Sequence, residues 1–275
     1  MDIAVTGGTG FIGQAVIDYA RSIGHEAWAF DHSMGLTVME EDDLLEGLAG
    51  ADVVIHLAGM LGTSELFDNP RQAVDINVKG TLNVLDWCHE EGAAYVGITM
   101  PDSSWANVYQ ATKLCAMRLA TAWHRNFGVP VSHVRAFNVY GPGQKHGPGH
   151  PQKFLPTFAT RAWAGLPLPV FGNGLQTIDP VWVGDVARML VDATGFGDDE
   201  IFDAGTGTDM TVRSFARLVN RMTGNKLDNL EFLPMRPGEE PETAIRAKGE
   251  GWDKLGWNPE FSPAHLEEAI NWYRP

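Results

Sequence analysis

Tyr109 and Lys113 lie four positions apart in the run Tyr109-Gln110-Ala111-Thr112-Lys113. On a helix this spacing puts the phenol and the ammonium on one face. A free phenol titrates near about 10 and is a poor base at neutral pH, but an adjacent cation favours the phenolate and lowers that value. Such a group accepts a hydroxyl proton as hydride leaves the same carbon. Taken alone, the pair also occurs on helices where both side chains merely face solvent.

What gives it weight is a second run, Thr6-Gly7-Gly8-Thr9-Gly10-Phe11-Ile12-Gly13. It directly follows an apolar segment and opens a helical pattern of Ala15, Val16, Tyr19 and Ala20. This is a dinucleotide-binding fingerprint: its glycines allow a tight turn, a close approach of backbone to pyrophosphate, and close helix packing. The helix N-terminus adds N–H donors and partial positive charge. Asp31 follows 18 positions after Gly13 (31 − 13). There its carboxylate accepts from the adenosine ribose hydroxyls, and with no Arg or Lys in His32-Ser33-Met34-Gly35 the expected cofactor is NAD rather than NADP.

The elements that must position these groups alternate. Ile3 to Thr6, Ala27 to Phe30, Val53 to Leu57, Tyr95 to Thr99 and Val131 to Phe137 read as strands, nearly continuous in apolar residues as in a parallel sheet covered on both faces. Gln72 to Cys88 and Val108 to Phe127 have helical spacing between them. Gly141 to Pro151 is too rich in Gly and Pro for regular structure and reads as a loop. Beyond it, helices are expected at Phe154 to Ala164, Asp185 to Thr194, Thr211 to Thr223 and Pro263 to Tyr273. The fold class is therefore α/β: a Rossmann-type doubly wound parallel sheet over residues 1–150, with a smaller mixed C-terminal substrate lobe over 151–275. Segments near 180–205 are expected to return to the first domain, Ile201 to Ala204 to its sheet.

Composition narrows the class. No apolar run approaches the roughly 18 residues of a membrane span, and Met1 to Val5 lack the basic region of a signal peptide. Two cysteines, Cys88 and Cys115, make no disulfide framework, and the reading is a cytoplasmic protein. A formal charge of −15 opposes nucleic acid and anionic membranes as partners. His146 and His150 are too few for a metal site, so no metal is expected, and the Gly/Pro loop that holds them reads as a mobile lid. Trp252, Trp257 and Trp272 read as packing residues.

Taken together, the runs Thr6 to Gly13, Asp52 to Gly59, Asn77 to Leu85, Tyr109 to Lys113, Arg135 to Gly143 and Arg236 to Glu239 resemble the extended short-chain dehydrogenase/reductases of the NAD-dependent epimerase/dehydratase family. The resemblance implies bound NAD, a nucleotide-sugar substrate in the C-terminal lobe, and a homodimer paired through the helices matching Gln72 to Cys88 and Val108 to Phe127. It implies a cofactor-binding set of Gly7, Gly10, Phe11, Ile12, Gly13, Asp31, Leu57, Ala58, Gly59 and Asn77, with Tyr109 and Lys113 on the nicotinamide side. It also implies a strand-end Ser or Thr that bonds the reacting oxygen. Thr99 is the candidate, only ten positions before Tyr109 (109 − 99), with Ser103 and Ser104 as rivals. Asn138 and Arg236 are the expected substrate ligands. The chain departs from the family in three places: the second and third strands are closely joined, Thr37-Val38 replaces an acidic residue near adenine, and Ile178 replaces an Arg before Asp179.

The expected reaction is epimerisation of a nucleotide sugar at C4 through a transient keto sugar, with Tyr109 as acid and base. Family dehydratases follow the strand-end Thr with Asp and Glu, whereas Thr99 is followed by Met100 and Pro101, leaving Asp102 as the nearest acid. A reductase or dehydrogenase using the same residues, or a dehydratase, is the alternative. A non-catalytic dinucleotide-binding protein is disfavoured by the retained Tyr109 and Lys113.

Overall fold

The computed structural model describes residues 1–275 except Asp102, Pro148, Gly149 and Glu242. Along the chain come β1 (Asp2–Thr6), α1 (Phe11–Ser22), β2 (Glu26–Phe30), α2 (Glu41–Gly47), β3 (Val53–His56), α3 (Pro70–Val74), α4 (Gly80–Glu91), β4 (Ala94–Thr99), α5 (Val108–Phe127) and β5 (Val131–Ala136). There follow β6 (Asn138–Tyr140), α6 (Phe154–Trp163), β7 (Leu168–Phe171), β8 (Thr177–Ile178), β9 (Pro180–Trp182), α7 (Val183–Asp192), β10 (Asp198–Ala204), β11 (Met210–Thr211), α8 (Val212–Thr223), β12 (Leu230–Leu233), α9 (Trp252–Leu255) and α10 (Pro263–Trp272).

The central sheet has the order β10-β5-β4-β3-β1-β2, and every pair in it is parallel. Ile3, Val5, Val53 and Ile55 pack on the face covered by α1 and α7, whereas Ala4, Val54 and Tyr95 pack with residues of α2, α4 and α5 on the other. Alternate residues of each strand thus meet opposite helical layers, which explains the unbroken apolar runs. The strand order reverses at β1, so the carboxyl ends of β1 and β3 flank the crevice where ligands bind in open sheets of this kind. The short β2–β3 connection leaves β2 at the sheet edge, with no further described strand outside it.

Ile201 to Ala204 lie within β10 and pair with β5, and α7 packs with α1. The 180–205 stretch is therefore part of the first domain. The remaining lobe has its own core, in which Leu155 and Phe158 of α6, Phe215 and Val219 of α8, and Leu266 and Ile270 of α10 surround Tyr140. The Gln72 to Cys88 helix extends from Pro70 to Glu91 and changes to a π-helical turn over Asp75–Lys79. Trp252 and Trp257 anchor the end of the chain through indole N–H bonds to the Asp203 carbonyl and the Asp192 carboxylate. Trp272 corrects the packing expectation: it is 63% exposed, at the last position of α10.

Candidate active site

The phosphate loop joins β1 to α1 at the crevice. Gly7 has φ +72°, and a Cβ there would come within 2.9 Å of the Ala58 amide, so the turn after β3 is pressed against the loop. Gly13 is tighter still, for its Cβ would sit 2.4 Å from the Gly7 carbonyl. Gly10 caps α1 without a side-chain acceptor, which leaves the first N–H groups of the helix, at Phe11, Ile12 and Gly13, for a ligand. A helix start this open to backbone approach fits a pyrophosphate.

Asp31 follows β2 and accepts from the Ser33 N–H at 2.9 Å and the Thr9 N–H at 3.2 Å. Burial works to raise its pKa, but these hydrogen bonds outweigh it and hold the carboxyl below its ordinary value. A carboxylate fixed beside the phosphate loop fits ribose hydroxyls and opposes a 2′-phosphate.

Beneath the loop runs a buried polar chain. Thr6 Oγ1 accepts from the Leu57 and Ala58 amides, so its own proton goes to His56 Nδ1, 2.8 Å away. His56 Nε2 then donates to Thr81 Oγ1 at 3.0 Å, and Thr81 donates to the Asn77 carbonyl. Burial, with a smaller contribution from the Lys113 charge, pulls the His56 pKa down to about 3, so the ring is neutral. Asn77 stands in the π-turn with its amide fully engaged: it exchanges hydrogen bonds with both backbone groups of Met60 and donates to Thr112 Oγ1 at 3.0 Å. The residue expected among the cofactor ligands therefore positions the turn after β3 against the catalytic helix. The motif run containing Asn77 marks its place in the sequence; the partners that use up its amide come from distant segments.

Asn107 starts α5: its Oδ1 accepts from the Gln110 N–H and its Nδ2 donates to the Gly238 carbonyl, both at 2.9 Å. One residue thus caps the helix and ties it to the C-terminal lobe. Tyr109, in the first turn, is half-buried, whereas Lys113 is 7% exposed. Burial raises Tyr109 to about 12 and lowers Lys113 to about 8. This corrects the expectation that the cation leaves Tyr109 with a lowered pKa, because desolvation of the phenolate dominates.

Thr99 closes β4, 4% exposed, and its hydroxyl has no hydrogen-bond partner among the described residues. The rivals are engaged: Ser103 donates to Gln110 Oε1 at 2.9 Å and Ser104 to Glu240 at 2.6 Å. Asp102 lies outside the described residues. Asn138 Oδ1 accepts from the Asp179 N–H at 3.0 Å, which leaves its Nδ2 for a ligand. Asp179 itself is fully buried and takes bonds from Thr206, Gly207 and Ala247.

Arg236 pairs with Glu239, lies 5.2 Å from the Phe171 ring, and keeps a buried Nε without a partner among the described residues. Near it are two residues that the sequence did not mark, Glu65 and Lys153. Glu65 accepts from the Gln152 N–H at 3.0 Å, next to Lys153, whose pKa is lowered by burial and by Arg236 against the pull of Glu65. The one available signal was a lone cation where the Gly/Pro loop enters α6. His146 packs edge-on to Tyr273, and among the described residues no group of three or more His, Cys, Asp or Glu forms a metal-binding cluster.

Comparison with known proteins gives the same family. The NAD dependent epimerase/dehydratase family model matches residues 3–205. The chain is 28% identical to the dTDP-glucose 4,6-dehydratase of Streptomyces niveus, over 86% of this chain and 74% of that one. It is also 28% identical to the UDP-glucuronate 4-epimerase of Thermodesulfobacterium geofontis, over 80% and 71%. Its fold matches the crystal structure of Thermotoga maritima UDP-glucose 4-epimerase with UDP-glucose at a TM-score of 0.90, with 24% identity over 100% and 99% of the two chains. With the phosphate loop, Asp31, and the Tyr109/Lys113 helix assembled at one crevice, the chain belongs to the NAD-dependent epimerase/dehydratase family.

Proposed function

We propose that this NAD-dependent enzyme inverts C4 of a nucleotide sugar. The observation that carries the reading is the environment of Thr99: a buried, unpartnered hydroxyl at the end of β4, followed by Met100 and Pro101 rather than by acids. Elimination of water calls for a proton donor to the departing hydroxyl, and the two positions after Thr99 offer none. Epimerisation calls only for a group that takes and returns one proton.

Tyr109 fills that role. The Thr99 hydroxyl bonds the reacting oxygen, Tyr109 takes its proton as C4 is oxidised, and the ammonium of Lys113 offsets the charge left on the phenol. NAD, held by the phosphate loop with Asp31 on its ribose, supplies the hydride acceptor. The flat keto sugar turns, hydride returns to its other face, and Tyr109 gives the proton back. Asn138 and Arg236 hold the substrate. The exposed sides of α4 and α5 pair two chains in a homodimer.

Incubation of the purified protein with a panel of nucleotide sugars, followed by separation of the products, tests this reading. Interconversion of C4 epimers without net reduction of cofactor is the expected result. A dehydrated product, or stoichiometric consumption of reduced cofactor, overturns it in favour of a dehydratase or a reductase.

A further inference from the structure

Ile178 stands where an arginine was expected, and it is 8% exposed in the core of the C-terminal lobe. That removes one cation from the substrate region, yet a diphosphate carries enough negative charge to need more than one donor group. The structure offers a second cation from another segment. Lys153 is the residue immediately before α6, half-buried beside Glu65, whose carboxylate holds the preceding Gln152 amide at 3.0 Å. Glu65 is fixed in turn by its neighbour Ser64, whose hydroxyl donates to the Pro237 carbonyl, the residue next to Arg236. Three segments distant in sequence therefore bring Lys153 and Arg236 to one place.

We infer that Lys153 is the second diphosphate ligand of this enzyme, compensating for Ile178, and that Glu239 competes with the phosphate for Arg236. The inference deepens the nucleotide-sugar reading and rests on it. Arg236 already has an anionic partner in Glu239 and a buried Nε without one, so it has capacity for a further acceptor. A phosphate oxygen that takes the guanidinium exchanges one anion for another, which limits what Arg236 contributes alone. Lys153 supplies the surplus positive charge. Its burial and its closeness to Arg236 disfavour the charged form, so an incoming phosphate relieves repulsion between two cations.

Calorimetric titration with UDP tests the inference on the whole chain saturated with NAD. Lys153→Met should weaken UDP binding about tenfold or more, the size of a charge-assisted hydrogen bond, and Lys153→Arg should restore most of it. Glu239→Gln should tighten UDP binding severalfold by freeing Arg236. NAD affinity, measured in the same preparations, should not change. Unchanged UDP affinity in Lys153→Met, with affinity lost in Arg236→Ala, overturns the role of Lys153 and leaves the nucleotide-sugar reading standing. UDP binding that neither substitution alters overturns both. Should Lys153→Met misfold, Lys153→Gln carries the same comparison.

Discussion

Burial leaves the Tyr109/Lys113 pair as a neutral phenol beside an ammonium at pH 7, because the phenol is raised to about 12 and the amine lowered only to about 8. Proton transfer from the substrate hydroxyl thus depends on this ammonium and on the Thr99 hydroxyl to lower its cost. Tyr109→Phe keeps the ring and should leave NAD affinity unchanged, while turnover falls at least about a hundredfold, the lower range for a general acid or base; near-normal turnover would remove Tyr109 from the mechanism. His56 makes a separate prediction. Its folded value of about 3 lies below the ordinary 6.5, so between them the unfolded chain binds a proton that the native chain does not. Stability from this group is complete above about 6.5 and is lost as pH falls toward 3, by up to about 1.4 kcal/mol per unit. Urea midpoints measured from pH 7 to pH 4 should fall more steeply for the parent than for His56→Gln; equal slopes would show that His56 is charged or exposed. The catalytic pair was legible because its spacing is local. The His56 chain was not, since Thr6, His56 and Thr81 come from three elements and only folding reveals that they share protons.

Among the elements, the phosphate loop and α1 are the most tightly specified. The Cβ of an alanine at position 13 would lie 2.4 Å from the Gly7 carbonyl, and neither backbone segment can yield without moving α1 from β1. Gly13→Ala should therefore cost about 1 to 3 kcal/mol of stability, as overpacking does, and weaken NAD binding about tenfold or more. Thermal unfolding and a cofactor titration check both; wild-type values would mean that the helix N-terminus tolerates displacement. Strands and long helices were legible from periodicity alone. Their ends were less so: Pro70 to Gln72 and His89 to Glu91 extend the predicted helix, because Pro at its first turn and Gly92 at its end set the limits rather than the apolar stripe. The π-turn left no periodic trace, since it serves to aim Asn77 at Met60 and Thr112.

At the scale of the molecule, the 236–243 segment joins the lobe to the first domain. Asn107 holds Gly238, Ser64 holds Pro237, Ser104 holds Glu240, and Trp105 donates to Thr243 at 2.9 Å. The short Thr99-to-Tyr109 connection was visible in the sequence as a departure, but its use as a clamp was not, because its partners lie more than a hundred residues away. The opposite side of α5 carries a cleft of about 370 Å³ lined by Ala111, Leu114, Cys115, Arg118 and Leu119, and on α3 Val74 is 48% exposed. If two chains pair there, sedimentation should give twice the 30.0 kDa chain mass. Cys115, the exposed one of the two thiols, should then react slowly with maleimide and faster on dilution; a 30.0 kDa species with a freely reactive Cys115 would contradict the dimer. The claim on which the whole account turns is that hydride leaves and returns to the same carbon. The most direct measurement uses a nucleotide sugar deuterated at C4, followed by nuclear magnetic resonance without added cofactor. The account predicts the C4 epimer with its deuterium retained at C4, whereas a product that has lost that deuterium from C4, or has lost water, would contradict it.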